Sequence, residues 1–128
     1  MRSTRILIVD DEPDFTALLK ENLEESGDFM VRQINDSSQA LKAAREFRPH
    51  LCIIDVVMPG MDGGDVVAQV RADPELAKVP IMMLTALVEE NPNSSDGETL
   101  TGGLPFVSKT SGFETILACI EKHLEEKD

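Results

Sequence analysis

Apolar and polar positions along this chain alternate in blocks of two kinds. Strand-like runs recur at Arg5 to Val9, Met30 to Ile34, Leu51 to Ile54, Ile81 to Leu84 and Phe106 to Ser108, each bounded by polar or turn-forming residues. Short runs of this sort read as strands buried in a parallel sheet. Between most of them the apolar spacing changes to that of a helix. The first helix carries Pro13 in its opening turn, sets Phe15, Leu18, Leu19 and Leu23 on one stripe and stops at Gly27. The second opens at Asp36-Ser37-Ser38-Gln39, a capping-box sequence, and turns Ala40, Leu41, Ala44 and Phe47 inward before Pro49. A third follows Asp62, with Val66, Val67 and Val70 inward. The last starts at Ser111-Gly112-Phe113-Glu114 and lines up Phe113, Ile116, Leu117, Ile120 and Leu124. This alternation predicts an α/β fold with a doubly wound parallel sheet.

One stretch breaks the pattern. From Val88 to Pro105, where a fourth helix is due, twelve of eighteen residues are Gly, Pro, Asn, Asp, Ser or Thr, a composition that favours turns. Its apolar side chains, Val88, Leu100 and Leu104, are too few and too badly spaced for a buried helical stripe. At most a short helical turn is expected, near Asp96 to Thr101. The stretch is expected to be mobile until a chemical modification of the domain or a partner orders it.

A length of 128 residues with 41% hydrophobic content predicts one domain over residues 1–128. The excess of 24 acidic over 12 basic residues, a formal charge of −12, excludes direct nucleic-acid binding, which needs Lys and Arg at phosphates. No apolar run approaches the length of a membrane span, so the expectation is a cytoplasmic protein without membrane contact. Cys52 and Cys119 lack paired metal spacing and read as reduced core residues. His50 and His123 stand apart from any metal-binding pattern.

The candidate chemistry lies at the strand ends. Asp10 and Asp11 close the first run and Asp55 closes the third, and ligands of open α/β sheets bind outside the carboxyl ends of the strands. Three carboxylates drawn together repel one another and push a proton onto one member unless a hard cation with oxygen ligands compensates them. Mg²⁺ is the natural candidate. Met58-Pro59-Gly60-Met61-Asp62-Gly63 follows Asp55, Thr85-Ala86 closes the fourth run and Lys109 closes the fifth.

Together these residues resemble the receiver domain of bacterial response regulators over essentially the whole chain, because five separated signals fall in order at strand ends. The resemblance implies a flavodoxin-like five-stranded sheet of order 2-1-3-4-5, here with a degenerate fourth helix. It implies that Asp55 is the phosphoacceptor, supplied by a sensor histidine kinase or a histidine phosphotransfer protein. By the same resemblance, Asp10, Asp11, Asp55 and the backbone carbonyl of Val57 would hold Mg²⁺. Lys109 would add a second positive charge, Thr85 would donate its hydroxyl to the bound phosphoryl group, and Thr85 with Phe106 would form the switch. The chain is then a signalling phosphoacceptor rather than an enzyme, with slow Mg²⁺-dependent self-dephosphorylation. Its downstream target or output domain is not named by the sequence. Most members carry a proline with a cis bond after the lysine, whereas Thr110 stands here, and a cis non-proline peptide costs roughly 3 kcal/mol.

Three other readings compete. A flavodoxin needs a hydroxyl- and Gly-rich phosphate loop where this chain has Asp10-Asp11-Glu12-Pro13. A haloacid-dehalogenase-type phosphatase needs an Asp-x-Asp pattern after its first strand, and that spacing is absent. A receiver-like module that works by protein contact without phosphorylation is opposed by the complete set of Asp10, Asp11, Asp55, Thr85 and Lys109.

Overall fold

The computed structural model describes residues 3–86, 98–101 and 104–126. Strands β1 (Thr4–Val9), β2 (Phe29–Ile34), β3 (Leu51–Asp55), β4 (Ile81–Thr85), β5 (Glu98–Thr101) and β6 (Leu104–Ser108) form one sheet in the order β2-β1-β3-β4-β6-β5. All neighbours except β5 and β6 run parallel. The five strands expected from the sequence are β1, β2, β3, β4 and β6, and without β5 their order is the expected 2-1-3-4-5. Helices α1 (Pro13–Ser26), α2 (Ala40–Phe47), α3 (Gly63–Ala72) and α4 (Phe113–Glu126) cover the sheet.

The apolar runs are continuous because both faces of the central strands are covered, and successive residues serve different layers. Ile6, Ile8, Leu51, Ile53, Met82 and Leu84 pack with Leu19 and Leu23 of α1 and with Ile116, Cys119 and Ile120 of α4. Leu7, Val9, Cys52, Ile54, Ile81 and Met83 face the other way, onto Ala40 and Ala44 of α2 and Val66 and Val70 of α3. Each large aliphatic side chain buried in this way contributes about 1.5 to 3 kcal/mol. Cys52 and Cys119 are buried and outside any disulfide, as expected, and burial pushes the Cys52 thiol up to about 12.

Several local expectations change. Leu18 is 58% exposed, because the inward stripe of α1 runs through Thr16, Leu19 and Leu23 instead. Asp36 accepts hydrogen bonds from the backbone and hydroxyl of Ser38 rather than forming a reciprocal box. Ser37–Gln39 consequently make a 3₁₀ turn ahead of α2. A capping box does form at α3, between Asp62 and Asp65.

The larger correction concerns residues 98–101, placed at the end of a possible helical turn. They form strand β5, antiparallel to β6, with Thr101 opposite Leu104 and Glu98 opposite Val107. The physical reason is visible in the chain: two strand-forming segments, Thr99-Leu100-Thr101 and Leu104-Pro105-Phe106, flank a Gly-Gly pair, the signature of a two-residue hairpin loop. Mobility was expected from Val88 to Pro105; residues 88–97 and 102–103 of that stretch, and with them the expected loss of a stable helix, lie outside the described residues. Among the described residues no helix is long and apolar enough to cross a membrane.

Candidate functional site

Sheet register assembles the site. Val9 pairs with Ile54, so Asp10, the next residue along, comes beside Asp55 at the end of β3. Asp55 pairs with Leu84, which puts Thr85 at the neighbouring strand end, and Thr85 pairs with Ser108, which delivers Lys109. Each side chain therefore emerges at the carboxyl edge of a strand whose apolar residues fix its depth.

Oxygen atoms of Asp10, Asp11 and Asp55 all lie within 4.8 Å of one another. Asp10 is fully buried, Asp55 and Thr85 are each 4% exposed, and Asp11 is half-buried. The ammonium of Lys109 sits 2.8 Å from Asp10 Oδ2 and 3.3 Å from Asp55 Oδ2, and it also contacts Glu12 Oε1. The Phe15 ring stands 5.0 Å from it, close enough for cation–π attraction. Three carboxylates, those of Asp10, Glu12 and Asp55, thus face one ammonium, with Asp11 beside them. Asp10 Oδ1 accepts the Glu12 N–H at 2.9 Å at the start of α1, whereas the buried Oδ2 accepts no aligned hydrogen bond. A buried carboxylate oxygen with an ion-pair contact but no hydrogen bond, amid two further carboxylates, fits the oxygen donor set of a hard divalent cation.

The electrostatics follow from burial and crowding. Desolvation and the adjacent Asp10 charge push the Asp55 carboxyl up to about 6 from its ordinary 3.8, against the opposing pull of Lys109. Desolvation also raises Asp10. Burial alone would pull Lys109 down, but attraction to Asp10, Glu12 and Asp55 outweighs it and the ammonium is held above its usual range. Lys109 is therefore a fixed positive charge across the accessible pH range.

The backbone around Asp55 depends on one glycine. A Cβ at Gly63 would lie 2.3 Å from the Asp55 carbonyl oxygen and 2.9 Å from Val56 Cα, so only glycine lets α3 begin this close. The Gly63 N–H donates to the Val56 carbonyl at 2.9 Å. In the same turn Gly60 takes φ +79°, a left-handed conformation that suits glycine.

Asp10, Asp11, Asp55 and Lys109 thus converge on one point, with Thr85 at the neighbouring strand end and the Val57 backbone N–H donating to the Asp55 carboxylate. The Val57 side chain is 59% exposed in the loop after β3, and Phe106 is half-buried in β6 opposite Met83. Sequence reasoning missed five contributors. Glu12 and Phe15 reach Lys109 from α1, and Asn35 donates to the Asp10 carbonyl at 2.8 Å and to Thr16 Oγ1 at 2.9 Å. Ser108 and Thr110 flank Lys109 and bond to one another. A third acid directly after Asp11 was the one available signal.

The sequence also matches a family model, that of the response regulator receiver domain, over residues 6–121. The chain belongs to the response regulator receiver family. It is 49% identical over 82 residues to the DNA-binding response regulator MtrA of Mycolicibacterium smegmatis, covering 64% of this chain and 34% of that protein. It is 43% identical over 86 residues to the alkaline phosphatase synthesis transcriptional regulatory protein PhoP of Bacillus subtilis, covering 67% of this chain and 35% of the relative. The chain thus spans about a third of the length of these curated relatives. Among solved structures, the chemotaxis protein CheY4 of Vibrio cholerae superposes with a TM-score of 0.78 at 28% identity, over 94% of this chain and 98% of that one. Receiver domains serve two-component signalling, and the parallel sheet of order 2-1-3-4-5 is the fold shared with CheY4.

Proposed function

We propose that residues 1–128 act as one phosphoacceptor domain in which Asp55 takes the phosphoryl group. The observation that carries this reading is the buried convergence of Asp10, Asp11 and Asp55 within 4.8 Å, with the Lys109 ammonium against two of them. The donor is a phosphohistidine on a sensor histidine kinase or a histidine phosphotransfer protein. An oxygen of ionised Asp55 bonds to phosphorus as the P–N bond breaks. The electron pair leaves on the imidazole nitrogen, which takes up a proton.

Such transfers depend on positioning and charge neutralisation more than on covalent help from the protein. Asp10, Asp11, Asp55 and the Val57 carbonyl would hold Mg²⁺, whose charge, when bound, neutralises both the carboxylates and the phosphoryl oxygens. Lys109, already held near Asp55, stabilises the same negative charge from the β6 side. Thr85, one residue past the partner of Asp55 in β4, donates its hydroxyl to a phosphoryl oxygen, and Phe106 packs inward as it does so. With an exposed apolar Val57 at the site mouth, nothing at that position orients an attacking water, so the acyl phosphate is long-lived.

Intact-protein mass spectrometry after incubation with acetyl phosphate tests the reading. The native chain should gain one phosphoryl group with Mg²⁺ and none in excess chelator, and Asp55→Asn should gain none. Equal labelling of that variant would reassign the acceptor. No labelling of the native chain would favour a module that works by protein contact alone.

A further inference from the structure

Lys109 follows the last residue of β6, at a point where the sheet's hydrogen bonding ends. Its own N–H still donates to the Thr85 carbonyl at 3.0 Å, but beyond it the chain turns away toward α4. No cis peptide occurs among the described residues, so the Lys109–Thr110 bond is trans. What holds the turn instead is a pair of hydroxyls. The Thr110 N–H donates to Ser108 Oγ at 3.2 Å, and Ser108 Oγ lies 2.8 Å from Thr110 Oγ1. The Ser111 N–H donates to the Ser108 carbonyl at 3.1 Å. Ser108 is 8% exposed, so its hydroxyl is largely shielded from water and the bonds it makes are worth more than surface ones.

The two residues either side of Lys109 are therefore tied together by their side chains, across the residue whose ammonium must stand between Asp10 and Asp55. We propose that Ser108 and Thr110 form a hydroxyl clasp that sets the position of the Lys109 ammonium, which makes Thr110 a positioning residue for phosphoryl transfer. This rests on the phosphoacceptor reading above. Thr110 touches neither Asp55 nor the incoming group; it acts by limiting the directions in which Lys109 leaves the strand.

The test compares the native chain with Thr110→Val, which keeps the shape of the side chain but lacks the hydroxyl, and with Thr110→Ser, which restores it. Two quantities are read. One is the rate of Asp55 modification by acetyl phosphate and Mg²⁺. The other is acylation of the Lys109 amine by acetic anhydride, measured by peptide mass spectrometry against exposed Lys42 in the same molecule. Thr110→Val should slow modification about fivefold, the weight of one ordinary hydrogen bond. It should also raise Lys109 acylation, and Thr110→Ser should return both to native values. In a Lys109→Ala background Thr110→Val should have no further effect on the rate. Unchanged Lys109 acylation in Thr110→Val, or an equal slowing in the Lys109→Ala background, would overturn the clasp. If the native chain takes no phosphoryl group yet Thr110→Val exposes Lys109, the phosphoacceptor reading fails while the clasp stands.

Discussion

Replacing Asp55 by Asn should stabilise the metal-free protein at neutral pH, although it removes a contact to Lys109. Asp55 is nearly inaccessible, and its carboxyl is pushed up to about 6 by burial and by Asp10, against 3.8 for an unperturbed group. The gap of about two pH units corresponds to about 3 kcal/mol of cost for holding Asp55 ionised in the fold, since one unit is about 1.4 kcal/mol. In the unfolded chain the group ionises near 3.8, so below that pH both states are protonated and the cost is absent. It grows as pH rises through the interval and is complete above about 6.

Asn avoids this cost, so in chelator at pH 7.5 the variant should be more stable by about 2 to 3 kcal/mol, an advantage that roughly halves at pH 5. Urea denaturation of both proteins at the two pH values, followed by circular dichroism, measures the difference. Saturating Mg²⁺ should reverse the ranking by binding the native fold preferentially. The reasoning is refuted if Asp55→Asn is less stable than the native chain in chelator at pH 7.5, or if its advantage does not change with pH.

Gly63→Ala should distort the β3 to α3 turn, because its Cβ would overlap the Asp55 carbonyl; thermal melts should show a loss of about 1 to 3 kcal/mol. Asn35→Ala removes donors to the Asp10 carbonyl and to Thr16, and should cost about 1 to 2 kcal/mol by urea titration; no loss would show the two bonds to be dispensable. Val57 and Leu87, both apolar, stand two residues beyond Asp55 and Thr85, where the family resemblance places the path of the hydrolytic water, so Val57→Asn combined with Leu87→Glu should shorten the lifetime of the phosphorylated form, read as decay of the mass-shifted species. Faster decay in the native chain would contradict this.

The sheet was legible because its central strands are covered on both sides, which turns fold class into a pattern of unbroken apolar runs. Ile6 to Val9 and Leu51 to Ile54 are read from the chain without knowing which face each residue serves. The helices were legible in extent but less so in rotation: Leu18 belongs to an acceptable apolar stripe, and only packing against the sheet decides that Thr16 lies inward instead. Strand β5 was missed because the segment was judged by turn-forming composition and helical spacing, while its Gly-Gly hairpin signature asks for pairing with β6. At the site, Asp10, Asp11, Asp55, Thr85 and Lys109 announced themselves by standing at strand ends. Glu12, Asn35, Ser108 and Thr110 are ordinary polar residues in sequence, and they acquire roles only when register and turns bring their oxygens and nitrogens to Asp10 and Lys109.

The most direct test of the central claim is to trap the acyl phosphate and read its position. After reaction with acetyl phosphate and Mg²⁺, borohydride reduction converts a phosphorylated aspartate to homoserine, and peptide mass spectrometry locates it. The account predicts homoserine at position 55 alone, in the peptide that follows Leu51-Cys52-Ile53-Ile54. Homoserine at position 10 or 11, or spread over exposed carboxylates with position 55 unmodified, would contradict it.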